Sequence, residues 1–288
     1  MSNEARFLLE VGAFPPTPDL VLAGFKSLRE FQERVRALRD AAPPGYILTA
    51  VMEPSKARDI SIPRAFGVLV ALLDESHVKA VVHVRSEEIL DHLYRYLPSA
   101  AEEAVRFPLG RCDLEFVVAD IVRVRADAIV NASNPTLKLG GGVSGAIRDA
   151  ADPSLQAELN RLTARGPLAD GAVAITEGFG LPCARRIIHA VVVKGTTEVV
   201  TTAVCNTLCL CDREGLASVA LPALGAGTGG LPLEGFVDAL RAGCLEHQDR
   251  NAQGSLRQVI VCLWTRTDRR HVLDRWSATS QADDPGRR

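Results

Sequence analysis

Apolar positions along the first hundred residues switch between short runs and a helical period. Residues 6–11, 46–52 and 78–84 are compact apolar runs and read as strands. Residues 27–40 read as a helix, because Leu28, Phe31, Val35 and Leu38 fall on one face. An apolar helix is expected over 64–73, introduced by Pro63. Another is expected over 86–97, with Ser86 as its N-cap and Glu87 and Glu88 where the positive end of the helix dipole favours acids. Beyond residue 110 the alternation is more regular, with strands expected at 113–118, 128–131, 172–176, 186–193, 218–221 and 258–264 and helical patterns between most of them. Strands separated by helices form a mixed, largely parallel sheet sandwiched by helices, and such sheets take ligands at the carboxyl ends of their strands. The expected fold is therefore α/β, with a small α/β domain ahead of a larger one.

Two breaks in composition divide the chain, at Phe107-Pro108-Leu109-Gly110 and at the polar stretch from Ser277. They give a first domain over 1–108, a second over 109–276 and a disordered tail over 277–288. The 288 residues are 47% hydrophobic, 24% charged and 5% aromatic, which excludes collagen-like, disulfide-dense and disordered classes. Net charge is −2, with 13 basic and 15 acidic side chains up to residue 108 and 20 of each beyond it. Neither part carries the basic field of a protein that coats nucleic acid. No apolar run approaches a membrane span, and the first residues lack the basic region of a signal peptide, so a cytoplasmic protein without a membrane partner is expected. The seven cysteines, an odd number lying in mostly apolar segments, read as reduced, buried thiols. Cys205, Cys209 and Cys211 have poor zinc spacing, and no metal or cofactor is expected.

In the first domain a strand, a turn and an apolar helix precede another strand, which loosely resembles the STAS-like anti-sigma-factor antagonist domains. Placing Gly67-Val68-Leu69 on that family's helix start puts Pro63 and Arg64 where its phosphorylated serine stands, so no phosphorylation site carries over. The domain is otherwise expected to contact a protein partner or simply to pack.

The richest segment is DAIVNASNPTLKLGGGVSGAIRDAA, residues 127–151, in which a short strand runs into a polar loop, three glycines and a helix. Glycines admit close backbone approach, and a helix N-terminus adds its positive dipole end; together they attract phosphate. Gly140, Gly142 and Gly145 match the formal dinucleotide fingerprint, but the nine residues from Asn131 to Leu139 come before the first glycine, which should follow its strand at once, and no acid closes a second strand, which argues against an NAD-dependent oxidoreductase. A second glycine loop, residues 221–232, follows another strand. Two such loops at strand ends would clamp a diphosphate between backbone donors.

In their order along the chain these segments resemble the macrodomains, modules that bind ADP-ribose, over about residues 111–272. The matches are Asp120-Ile121, the Asn-Ala-x-Asn and triple-glycine stretch 131–147, the segment 171–193 with its Ile-His-x-Val ending, and the second glycine loop. The resemblance implies a macrodomain-like three-layer fold and gives each residue a role. Asp120 would accept from the adenine amino group, with the Ile121 N–H on the ring, and Asn134 would meet the distal ribose. Gly141, Gly142 and Val143 would approach that ribose and the diphosphate, and Gly225, Ala226, Gly227, Thr228 and Gly229 would cradle the phosphates. Trp264 would stack on adenine. His189 reads as a core histidine, and turn capping is expected of Asn131 rather than Asn134.

Members of the family either bind ADP-ribose or remove it from proteins, nucleic acids or acetyl esters. Two positions depart from a hydrolytic pattern: Ser144 stands where that pattern has Asp, and Gly229 where many members have Phe or Tyr. The expected function is binding of ADP-ribose or mono-ADP-ribosylated targets. The alternative is a mono-ADP-ribosyl or O-acetyl-ADP-ribose hydrolase using substrate-assisted water attack, for which Asn134 and Ser144 are the candidate residues. Nucleic acid is expected only as an ADP-ribosylated target.

Overall fold

The computed structural model describes residues 7–12, 14–56, 60–73, 76–97, 104–250 and 253–282. The chain divides into two units, Met1–Glu103 and Ala104–Arg288.

The first unit holds β1 (Phe7–Val11), β2 (Leu20–Val21), α1 (Leu28–Ala41), β3 (Ile47–Val51), α2 (Ile62–Leu73), β4 (Lys79–Val84) and α3 (Glu87–Tyr94). Its sheet is parallel throughout, in the order β1-β4-β3-β2. Ser27 and Ser86 cap α1 and α3 by accepting from Glu30 N and Ile89 N, as serines at N-caps do. Phe31 and Val35 of α1 are buried with Leu28 and Leu38 packed beside them, so the helical spacing in the sequence marks the packed face. The two-residue β2 is too short to leave a periodic signal.

The second unit holds β5 (Val105–Leu109), β6 (Cys112–Val118), β7 (Ala128–Ser133), α4 (Gly142–Ala150), α5 (Leu155–Leu162), β8 (Val173–Glu177), β9 (Arg186–Val191), α6 (Thr197–Arg213), β10 (Ser218–Pro222), α7 (Leu233–Arg250), β11 (Gln258–Leu263) and α8 (Arg266–Ala282). Its seven-stranded sheet runs β5-β6-β11-β10-β7-β9-β8. The five central strands are parallel and the two edges antiparallel. One face packs on α6, α7 and α8 through Val204, Leu208, Phe236, Leu240 and Trp276. The other packs on α4 and α5 through Ile147, Leu155 and Leu159. This is the three-layer mixed α/β architecture expected from the alternation of strands and helices.

Two boundaries differ from expectation. Phe107, Pro108 and Leu109 lie inside edge strand β5, and Gly110 makes the tight turn into β6, so the division falls near residue 104 rather than 108. Proline is tolerated there because an edge strand leaves N–H positions unpaired. At the other end α8 continues through Ser277 to Ala282; only 283–288 of the expected tail lie outside the described residues. Trp276 buries its ring against Phe107 and Phe116, so the last helix is anchored just before the composition turns polar.

Among the described residues no helix is long and apolar enough to cross a membrane. None of the seven cysteines is in a disulfide; six are buried and Cys209 is partly exposed.

Candidate functional site

Parallel strands put all their carboxyl ends on one side, and there the second unit opens a cleft of about 450 Å³, a size suited to a small ligand. It is floored by the ends of β7 and β9 at Ala132, Ser133, Val192 and Val193. One wall is the loop and first turn of α4 from Asn134 to Ser144, the other is Gly225, Gly227, Thr228 and Gly229 after β10, and Trp264 stands at the end of β11.

The first wall is shaped by Asn134. Its Oδ1 accepts from Thr136 N, Thr136 Oγ1 and Lys138 N, and its Nδ2 donates to the Lys138 carbonyl at 2.9 Å. This closes a tight loop in which Leu137 is held, buried, at φ +53°, a conformation costing an L-residue about 1–2 kcal/mol. Arg148 then reaches back from α4 to the Gly140 carbonyl at 3.0 Å. Helix α4 opens on Gly141 with no side chain capping it and no acid in its first turn. The N–H groups of Gly142, Val143 and Ser144 are therefore left for whatever enters, at the positive end of the helix dipole. Gly142 itself takes φ +58°, which favours glycine.

The second wall is a seam of glycines. A Cβ on Gly229 would lie 2.7 Å from the Gly225 carbonyl oxygen and 3.1 Å from Gly195 Cα, and one on Gly195 would lie 2.5 Å from the Gly229 carbonyl oxygen. The loop thus rests backbone on backbone against the segment after β9, and an aromatic residue in place of Gly229 would require the loop to move. By contrast, a Cβ on Gly140, Gly141 or Gly227 would meet nothing within 4 Å. Protein packing does not demand glycine at these three positions; open cleft lies beyond them. Among the described residues, Gly227, Thr228 and Gly229 donate no backbone hydrogen bond, while Gly230 N and Leu231 N turn inward to Gly227 O and Gly225 O.

Of the residues singled out from the sequence, Asn134, Gly141, Gly142, Val143, Ser144, Gly225, Gly227, Thr228, Gly229 and Trp264 line the cleft. Ala226 does not; its N–H is spent on Ala223 O. Asp120 and Ile121 also lie outside the lining. They follow β6, where Asp120 caps a short 3-10 turn by accepting from Val122 N at 3.3 Å, and Ile121 is buried. Ala119 N donates to Leu263 O, so Asp120 and Trp264 stand one residue beyond paired positions on neighbouring strands. Trp264 is 46% exposed.

Turn capping belongs to Asn134, whereas Asn131 is a buried residue of β7. Its Oδ1 accepts from Ser144 Oγ at 2.7 Å, and its Nδ2 faces His189 Nδ1 at 3.2 Å. His189 Nε2 in turn meets Thr176 Oγ1 at 3.2 Å. His189 is fully buried, and burial pushes its pKa down to about 4, so it is a neutral core histidine at pH 7. Sequence reasoning missed this chain because β8, β9, β7 and α4 meet only in the folded protein. It also missed Lys138, among the described residues the one charged side chain lining the cleft; a lone base in an otherwise uncharged glycine loop was the available signal.

The cleft defines a class by its make-up: an α/β module whose strand ends carry backbone donors, a helix N-terminus and one lysine. The family described as Macro domain matches residues 130–240. A macro domain-containing protein of Methanosarcina mazei is 38% identical over 139 residues, 46% of this chain and 72% of that protein. An uncharacterised protein of Pyrobaculum aerophilum is 34% identical over 164 residues, covering 56% of this chain and 88% of that one. An uncharacterised protein of Mycobacterium tuberculosis is 38% identical over 157 residues, or 52% of this chain; the match spans 41% of that longer relative. Among solved structures, the Oceanobacillus iheyensis macrodomain with MES bound superposes with TM-score 0.56 at 29% identity, covering 62% of this chain and 98% of that one. The same macrodomain is also known with ADP, and a mutant of it with ADPR. The chain belongs to the macro domain family.

Proposed function

We propose that the protein binds ADP-ribose, free or attached as a single unit to a target, in the cleft of its second unit. The observation that carries this reading is the pair of facing glycine walls, with backbone donors not spent within the protein on both sides and no carboxylate among the residues lining the cleft. A diphosphate needs both features: donors to satisfy its oxygens and no like charge to repel it. The Oceanobacillus relative with ADP and its mutant with ADPR support the choice of ligand.

Strand order supports the ligand's length and direction. Asp120 and Trp264 stand beyond β6 and β11, the phosphate walls beyond β10 and β7, and Val192 beyond β9. Four strand spacings of about 4.8 Å span about 19 Å, a distance that suits adenine at one end and a second ribose at the other. In this reading Asp120 accepts from the adenine amino group, the Ile121 N–H meets the ring and Trp264 stacks on it. Asn134 offers its remaining Nδ2 proton to the distal ribose. Gly141, Gly142 and Val143 face the loop of Gly225, Ala226, Gly227, Thr228 and Gly229 across the phosphates.

Binding is preferred to hydrolysis on the state of Ser144. Its hydroxyl donates to Asn131 Oδ1 at 2.7 Å, with the Ala132 carbonyl a second acceptor at 3.3 Å, neither of them a base, and among the described residues no Asp, Glu, His or Cys lines the cleft to activate water. Binding of this kind suits a cytoplasmic reader whose first unit engages a protein partner. Titration calorimetry of the whole chain with ADP-ribose, followed by a release assay on a mono-ADP-ribosylated protein, tests the reading. Micromolar binding without release is expected; absence of binding refutes it, and turnover makes the protein a hydrolase.

A further inference from the structure

We propose that the buried chain from Thr176 through His189 and Asn131 to Ser144 holds the Ser144 hydroxyl as a pure acceptor toward the cleft, selecting a ligand that ends there in a sugar hydroxyl over one that ends in a phosphate. The inference rests on the ADP-ribose reading above and deepens it: the site is built to prefer ADP-ribose to ADP.

The polarity of the chain is set at its far end. Thr176 Oγ1 donates to the Glu177 carbonyl at 3.0 Å, so toward His189 it can only accept, and His189 Nε2 carries the ring proton. Burial keeps the ring neutral at pH 7, so Nδ1 is bare and accepts from Asn131 Nδ2. The amide is thereby oriented with Oδ1 toward α4, where it takes the Ser144 proton at 2.7 Å; the Ala132 carbonyl, 3.3 Å from the same hydroxyl, is a second acceptor on the protein side. A hydroxyl has one proton. With that proton committed, Ser144 shows the cleft only lone pairs, which bond a ribose hydroxyl and repel a phosphate oxygen. Reversing any one link would leave a buried donor facing a donor, or an acceptor facing an acceptor, and that penalty keeps the polarity in place.

The position fits the selection. Ser144 sits over β7, which pairs with β9 and is separated by β10 from β11 and Trp264. On this wall, which the reading above gives to both the diphosphate and the second ribose, the group it meets is at the far end of the diphosphate, where ADP-ribose continues into that ribose and ADP stops at a phosphate. His189, Asn131 and Thr176 act through Ser144 and are positioning residues.

Calorimetry with ADP-ribose and ADP as separate ligands tests this. Ser144→Ala is expected to weaken ADP-ribose about 3- to 10-fold, the scale of one neutral hydrogen bond, and to bind ADP at least as tightly as wild type, because the lone pairs that repel its terminal phosphate are gone. Thr176→Val, close in shape and not part of the cleft lining, is expected to show a smaller loss with the same selectivity, and Thr176→Ser to restore it. In the wild-type chain, 15N shifts at pH 7 are expected to show the His189 proton on Nε2. A proton on Nδ1, equal loss for both nucleotides in Ser144→Ala, or a Thr176→Val protein that keeps wild-type preference would overturn the proposal. A wild-type chain that binds neither nucleotide overturns the binding reading itself, whereas binding of ADP-ribose with any of those failures overturns only the relay.

Discussion

The glycines of the second wall separate into two kinds, and substituting one of each separates stability from binding. At Gly229 a Cβ would press to 2.7 Å from a backbone oxygen and 3.1 Å from the Gly195 Cα and the Val192 oxygen. Nothing there is a flexible side chain, so the loop itself must shift. Gly229→Ala is expected to cost about 1–3 kcal/mol, the usual cost of overpacking. For a unit of this size that lowers the melting temperature by about 2–12 °C. At Gly227 a Cβ meets nothing within 4 Å. Gly227→Val is expected to keep stability within about 0.5 kcal/mol of wild type while filling the space between the walls. If the bulk denies the ligand two charge-assisted hydrogen bonds at about 1.5–3 kcal/mol each, affinity falls more than about 100-fold. Differential scanning calorimetry and titration with ADP-ribose read the two effects on the same preparations. Wild-type affinity in Gly227→Val would refute the clamp, and wild-type stability in Gly229→Ala would refute the seam.

Three further outcomes are expected. Asp120→Asn keeps an oxygen for the Val122 N–H but loses the charge, so it should weaken ADP-ribose by about 1.5–3 kcal/mol with little change in melting; unchanged affinity by calorimetry removes Asp120 from the adenine end. His189 has a folded pKa of about 4 against an ordinary 6.5, so the unfolded chain binds the extra proton between those values. The group's contribution is whole above pH 6.5 and is lost as pH falls toward 4, about 2 kcal/mol of it by pH 5. Urea midpoints should show that loss in wild type and not in His189→Gln, and parallel pH profiles would contradict it. Burial pushes the thiols of Cys205 and Cys244 up to about 11 and about 12, and those of Cys211 and Cys262 upward as well. Iodoacetamide on the native protein should therefore modify Cys209 first, with all seven reacting in denaturant; mass spectrometry showing Cys262 or Cys244 modified early would mean the core opens.

Much of the second unit was legible in the sequence because its signals are local. A strand buried on both faces reads as a nearly continuous apolar run, as at 187–193 with His189 its one interruption, and a loop that approaches a ligand must be rich in glycine, as at 140–142 and 225–230. These patterns set the α/β class, the strand and helix order and most of the residues that line the cleft. Position along the chain could not distinguish the glycines demanded by backbone packing, Gly195 and Gly229, from those that face open space, Gly140, Gly141 and Gly227. For Gly195 that difference depends on atoms 30 or more residues away, and for Gly229 on the Gly225 carbonyl four residues back as well as on Gly195 and Val192. The composition break at Pro108 was misleading for a related reason: proline and glycine mark an edge hairpin as readily as a linker, and only pairing with β6 decides which.

The amino-acid sequence by itself determined where the backbone could bend, which faces had to be buried and which stretches could bring N–H groups to an anion, because propensity, periodicity and capping act within a few residues. Tertiary structure alone decided that Asn131 turns away from the loop to join Ser144 to His189, that Asn134 closes the turn instead, and that Asp120 and Trp264 follow the ends of neighbouring strands. Those relations depend on the order β6-β11-β10-β7-β9, which brings together positions far apart in the chain, and no local pattern encodes which buried polar group finds which partner.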